Sequence, residues 1–255
     1  MKLGVMQPYF LPYIGYWQLI NAVDEYVLVD NLNYIKNGFV NRNFIIMNGE
    51  PFRFGISVKK ASQNKFINEH IHGMTESEVN KLLETLRTAY AKAPYFEETY
   101  NHVRGILEFG LTPEGRNLAD FLIYSIRVTA DKLGIKTPIL RSSTEVKLDG
   151  EYRKEKLVVA YCKKRNADEY YNAIGGTKLY FQNYFRENDI SLKFVKTNEE
   201  LRYKQFTDDF VPSLSILDVM MFNSPEQIKD LLGQFTLIDG YESFEDYEKC
   251  IENNG

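Results

Sequence analysis

Leu3-Gly4-Val5-Met6-Gln7-Pro8-Tyr9-Phe10-Leu11-Pro12-Tyr13-Ile14-Gly15-Tyr16-Trp17, followed by Val27-Leu28-Val29-Asp30-Asn31, is the stretch that decides the fold. An apolar strand over residues 3–6 runs into a loop that holds Pro8, Pro12 and several aromatics, and a helix opens at or near Gly15. A second apolar strand over residues 25–29 follows and ends on the carboxylate of Asp30. Strand, special loop, helix and a strand with a polar tip place a ligand at the carboxyl edge of a parallel sheet, against a helix N-terminus.

Working outward, residues 31–43 are polar and aromatic, with a turn at Lys36-Asn37-Gly38. Asn48-Gly49 between two apolar runs predicts a two-residue hairpin, whose second strand sets Phe52, Phe54, Ile56 and Val58 on one face. That hairpin interrupts strand–helix alternation and so predicts a mixed sheet. Helical spacing of apolar residues predicts helices over 76–91, 95–109 and 117–133, the last capped by Gly134. From 139 onward alternation returns: strands over 139–140, 169–173 and 191–195, and helices over 154–165 and 179–188. The tail reads as an apolar helix over 214–222, a helix started by Pro225, and a charged, frayed C-terminus. The expected fold is α/β and Rossmann-like, with a HUP-like arrangement as one form of it. Its sheet is mixed but mainly parallel and carries a helical insertion. The parts are an α/β region at 1–75 with the ligand loop, a helical block at 76–134, and an α/β and helical region at 135–255. No low-complexity linker separates them, which predicts one compact unit.

A net charge of −4 gives no general attraction to nucleic acid or anionic membrane, so any anion site must be local. The 18 tyrosines supply flat apolar faces with polar tips, which suit sugars and nucleotides as well as the core. Two distant cysteines, Cys162 and Cys250, indicate no disulfide framework. With no signal-peptide pattern and no run of roughly 18 apolar residues, the expectation is a cytoplasmic protein without a membrane span.

At Tyr13-Ile14-Gly15-Tyr16, glycine lets backbone approach a phosphate, and free helical N–H groups favour an anion. The pattern has the outline of the His-x-Gly-His signature of nucleotidylyltransferases and adenylate-forming ligases, with tyrosine at both histidine positions; a tyrosine hydroxyl donates one hydrogen bond and stays uncharged. Gln7 at a strand end offers a donor and an acceptor. Asp30 could bind ribose hydroxyls, hold Mg2+ or orient an amine, or merely cap a turn. Asn41-Arg42-Asn43 with Lys36 clusters positive charge and amides, and arginine reads phosphate or carboxylate in bidentate fashion. Ser142-Ser143 and Gly175-Gly176 lie in loops after strands and could wrap phosphates, although the second lacks the upstream glycine of a P-loop. His70 and His72 have no companions that complete a metal set, so no metal site is expected and both histidines are expected to be solvated.

Several of these motifs, in order, resemble the WbqC-like family. They are Gln7-Pro8-Tyr9-Phe10-Leu11-Pro12-Tyr13-Ile14-Gly15-Tyr16, the strand ending at Asp30, Asn41-Arg42-Asn43, Ser142-Ser143, Tyr203-x-Gln205, and Phe210-Val211-Pro212-Ser213-Leu214-Ser215-Ile216-Leu217-Asp218. The resemblance implies a sugar-modifying role in O-antigen, lipopolysaccharide or other surface-polysaccharide biosynthesis in bacteria. The transferase chemistry it suggests attaches glycine or another amino acid to the amine of a nucleotide-linked amino sugar. Joined to the residue reading, ATP with Mg2+ would activate the acyl group. The Tyr13–Tyr16 helix start would meet the ATP phosphates, Arg42 and Lys36 would offset their charge, and Gln7 and Asp30 would position nucleotide or amine. Tyr203, Gln205, Ser213, Ser215 and Asp218 would form the acceptor side, with Asp218 or Asp30 as general base. An acyltransferase using a thioester or aminoacyl-tRNA, and a non-catalytic nucleotide-sugar binder, remain open. Nucleic acid is a partner only if that tRNA is the donor, and the sequence specifies no oligomeric state.

Overall fold

The computed structural model describes residues 1–252. In chain order its strands are β1 (Lys2–Met6), β2 (Glu25–Leu28), β3 (Arg42–Met47), β4 (Glu50–Gly55), β5 (Ile139–Arg141), β6 (Glu169–Ala173), β7 (Ser191–Thr197) and β8 (Phe235–Ile238). Six of them form one sheet in the order β5-β2-β1-β6-β7-β8, parallel throughout except that β8 runs against β7. The fold is α/β, Rossmann-like, with a mainly parallel, mixed sheet flanked by helices. Strand order reverses at β1, which has β2 on one side and β6 on the other. The crevice at such a reversal is where open α/β sheets hold ligands.

The central strands are apolar on both faces because both faces are covered. Leu3, Val5, Val27 and Val29 pack with Val158, Tyr161 and Cys162 of helix α5 (Glu155–Arg165). Tyr26 and Leu28 face the larger core with helix α1 (Ile14–Asn21), of which residues 14–20 are all buried. Even Gln18 in α1 is enclosed. Its Nε2 donates to Leu231 O and Gln234 O at 2.8 and 3.0 Å, and its Oε1 accepts from Thr197 Oγ1 at 2.6 Å. Between β2 and β5 the chain leaves the sheet for the β3–β4 hairpin and helices α2 (Glu76–Tyr90), α3 (Phe96–Phe109) and α4 (Leu118–Lys132). Thr75 with Glu78 makes a capping box for α2, Asn117 caps α4, and Gly134 (φ +77°) ends it. One apolar cluster runs from α1 through these helices to α7 (Ile216–Phe222) and α8 (Pro225–Leu232).

Four local expectations are corrected. The hairpin pairs only with itself, and the mixed character of the main sheet comes from β8. The tail expected to fray contains β8 and a further helix; residues 253–255 lie outside the described residues. The helix expected over 179–188 is shortened to α6 (Gln182–Arg186), the loop before it contains a 3-10 turn at Ile174–Lys178, and the last helix is α9 (Phe244–Glu252). His70 and His72 are buried, not solvated. His70 bonds Phe66 O and accepts from Ser62 N, while His72 bonds Gly115 O and accepts from Met74 N. Each ring thus completes backbone hydrogen bonding that burial would otherwise leave unmet. Among the described residues no helix is long and apolar enough to cross a membrane.

Candidate functional site

The loop after β1 is tied down atom by atom. Tyr16 Oη donates to Gln7 O at 2.9 Å, and Phe10 N to Phe39 O at 3.1 Å. Leu11 O accepts from Asn43 Nδ2 at 2.9 Å and Ser215 Oγ at 2.7 Å; Pro12 O accepts from Trp17 Nε1 and Ile216 N, both at 2.9 Å. Asn43, Ser215 and Tyr16 are buried, and each donates a hydrogen bond to this loop. Gly15 is needed because the Tyr13 ring lies on it: a Cβ there would sit 2.5 Å from Tyr13 Cε2. Tyr9 packs on Tyr16 and Phe39.

One wall of that loop opens on a cavity of about 640 Å3 at the carboxyl rim of the sheet. Gln7 reaches it from the end of β1, Asn31 and Asn33 from beyond β2, Arg153 and Lys154 from the segment preceding α5, and Tyr161 from α5 itself. Leu32, Ile35, Phe66 and Tyr152 make its apolar sides. Gln7 Oε1 is enclosed and has no hydrogen-bond partner. An enclosed acceptor without a donor costs about 1–3 kcal/mol. The cations Arg153 and Lys154 stand where the first-turn N–H groups of α5 favour negative charge. Burial pushes the Tyr161 hydroxyl above its ordinary range, with Ser142 beside it.

Below this rim Asp30 is completely buried. Its Oδ2 accepts from Arg141 Nε at 2.6 Å and Ser143 Oγ at 2.7 Å, and its Oδ1 from Ser142 Oγ at 2.8 Å and Ser143 N at 3.1 Å. Arg141 Nη1 also donates to Asp120 Oδ1 at 2.5 Å. This set ties the point where the chain leaves β2 to the point where it leaves β5. Arg141 is absent from the sequence reading; a cation just before Ser142-Ser143 was its only signal. Four donors, one cationic, surround Asp30, which is the opposite of what a cation site offers. Among the described residues no group of three or more His, Cys, Asp or Glu side chains could hold a metal ion.

The other candidates stand elsewhere. Asp218 is buried in the first turn of α7, its oxygens receiving Tyr90 Oη at 2.8 Å and Tyr203 Oη and Gln205 Nε2 at 2.7 Å each. Burial raises its pKa above the ordinary carboxylate value, against the pull of those three donors. Tyr13, Tyr203 and Ser213 line a separate cavity of about 200 Å3. Arg42 and Asn41 line a third, of about 460 Å3, between the hairpin and α2; Asn41 accepts from Tyr34 Oη at 2.7 Å and donates to Ile56 O at 2.6 Å. Lys36 is exposed. Gly175 has open space where a side chain would be and lies beyond β6, the neighbour of β1, while Gly176 sits against the Asn172 side chain. The sequence-derived residues are therefore spread over several places; of them Gln7 alone lines the rim cavity, and Ser142 Oγ reaches its lining residue Asn31 at 2.7 Å.

Comparison with known proteins gives two matches. A family model described as the WbqC-like protein family matches residues 7–230. An "Uncharacterized protein Rv1507c" of Mycobacterium tuberculosis is 25% identical over 233 residues, covering 91% of this chain and 97% of that protein. No solved structure matches.

Proposed function

The chain belongs to the WbqC-like protein family, and from that premise we propose that it modifies a sugar destined for bacterial surface polysaccharide. The reaction we assign is transfer of an aminoacyl group, glycyl first among candidates, to the amine of a nucleotide-linked amino sugar. One observation carries the reading: Gln7, Asn31, Asn33, Arg153 and Lys154 line a rim cavity of about 640 Å3 at the strand reversal. Gln7, Asn31 and Asn33 suit a base or sugar rich in N–H and O–H groups, and Arg153, Lys154 and the α5 N-terminus suit a diphosphate.

Amide formation joins the sugar nitrogen to an acyl carbon, expels that carbon's leaving group and releases one proton. With ATP the leaving group is AMP, after the amino acid carboxylate has displaced pyrophosphate. A specific observation favours keeping a second reading beside this one. Asp30 and Asp218 both have their oxygens occupied by protein donors, so neither is poised as a general base. Binding without turnover fits that state.

The test supplies a nucleotide-linked amino sugar with glycine, ATP and Mg2+, and reads products by mass spectrometry. Amide product with AMP and pyrophosphate supports the ligase. Product only with a thioester or charged tRNA supports the transferase. Saturable binding without turnover, lost in Gln7→Leu, leaves a nucleotide-sugar binder. No binding of any nucleotide-linked sugar overturns the assignment.

A further inference from the structure

The hairpin cavity shares no lining residue with the rim cavity and has a different chemistry. Strands β3 and β4 pair with Phe44 opposite Arg53 and Arg42 opposite Gly55. Phe44 O accepts from Ser215 N at 2.7 Å, away from β4, which identifies Phe44–Arg53 as a pair that exchanges no ladder bonds. Arg42–Gly55, two residues along, is of the same kind. The N–H groups of Arg53 and Gly55 are therefore directed off the outer edge of β4. Farther along, that edge is covered: Gly73 N donates to Ser57 O at 2.7 Å. The cavity fills the gap before that point.

Arg42 and Arg53 are diagonal neighbours on one face of the hairpin, a separation that long side chains span. Across the cavity, Glu78, Lys81, Leu82 and Thr85 form one face of α2 at helical spacing. Glu78 is the one acid in the lining, and both of its oxygens are engaged: Oε1 accepts from Ser57 Oγ at 3.0 Å and Oε2 from Thr75 N at 3.0 Å. Arg42 is held by neutral partners, donating from Nε to Gly38 O and from Nη1 to Asn37 Oδ1. Three cations against one acid leave two positive charges around the space, in a chain whose net charge is −4.

We propose that this cavity is a second anion site, which takes the phosphate or carboxylate of a small organic molecule. Arg42, Arg53 and Lys81 supply charge, the edge N–H groups of β4 supply directed hydrogen bonds, and Leu82 and Met74 cover the apolar part of the ligand. It is independent of the function assigned to the rim cavity.

The test is amide-resolved NMR titration at low ionic strength, with inorganic phosphate and acetate as separate probes. Saturable shifts at Arg53, Gly55 and Lys81 with either probe support the site, and the tighter probe names the ligand class. Arg42→Ala with Arg53→Ala weakens binding at least tenfold, and Lys81→Met weakens it severalfold with the far-UV spectrum unchanged. Gln7→Leu leaves these shifts as they are, so failure of the rim reading does not touch this one. Shifts spread evenly over surface lysines and arginines, shifts confined to the rim, or undiminished binding in the double variant would overturn the proposal.

Discussion

Removing the Asp30 carboxylate is expected to cost stability first. Asp30 is fully buried and meets Arg141, whose side chain is 20% exposed. Breaking such a pair by deleting one member costs about 3–5 kcal/mol, because the remaining charge is stranded. Arg141 keeps Asp120, itself 37% exposed, so Asp30→Ala belongs at the lower end, about 3 kcal/mol. At about 2–4 °C per kcal/mol for a chain of this size, the melting temperature falls by about 6–12 °C. Asp30→Asn keeps the shape but turns an amide N–H2 toward Arg141 or the serines, and loses about 2 kcal/mol. Asp30→Leu combined with Arg141→Met removes both charges and recovers part of the loss, with a coupling of at least about 1 kcal/mol. Urea unfolding with ligand binding measured in parallel is the assay. An Asp30→Ala protein that melts within about 3 °C of wild type but no longer binds nucleotide-linked sugar would refute the reasoning and make Asp30 a contact residue.

Gln7→Leu is expected to leave stability unchanged or raise it by up to about 1 kcal/mol while weakening nucleotide-sugar binding, since Oε1 has no protein partner to lose; calorimetry reads both, and a destabilised variant contradicts it. Asp218→Ala strands three donors and should cost about 3 kcal/mol, against about 1 kcal/mol for Tyr203→Phe. Because burial raises the Asp218 pKa, its contribution is fully present below its unfolded value of 3.8 and is lost as pH rises through the higher folded value. Asp218→Asn flattens that part of the stability–pH curve, and an unaltered curve in urea titrations counts against it. His102, lowered to about 4 by burial, works in the opposite direction: stability holds above pH 6.5 and falls as pH drops toward 4, a slope that His102→Gln removes. Gly55→Ala should disrupt the hairpin, since its Cβ would lie 2.6 Å from both Asn41 O and Arg42 Cβ, and the amide shifts of Arg53 would move without any ligand.

Local chemistry made most of the core legible. Val27-Leu28-Val29 could only be an enclosed strand, and Asn48-Gly49, both at positive φ (53° and 82°), turned the hairpin as their types demand. The strand Phe235–Ile238 escaped because it is short, antiparallel and at an edge, where half its residues are exposed. The helix over 179–188 was overextended: the helical part is Gln182–Arg186, and apolar spacing alone does not mark where so short a helix begins. The candidate site was legible as residue types and not as a constellation. Asp30 finds Arg141 from 111 residues away and Asp218 finds Tyr90 from 128, and no local pattern announces such partners. Gln7 was visible as a strand-end amide; that its oxygen goes unclaimed is a fact of three dimensions.

The enclosure of α1 bears on how the rim accommodates a guest. Its first turn and the preceding loop are clamped between the sheet, the hairpin and α7, so that side cannot give way. The opposite boundary is built from residues 148–154, where Gly150 and Lys154 hold positive φ (121° and 52°) and most side chains face solvent. Whatever reshaping accompanies occupancy falls to that outer flap, and grafts that retune selectivity belong there rather than in the aromatic bed beneath.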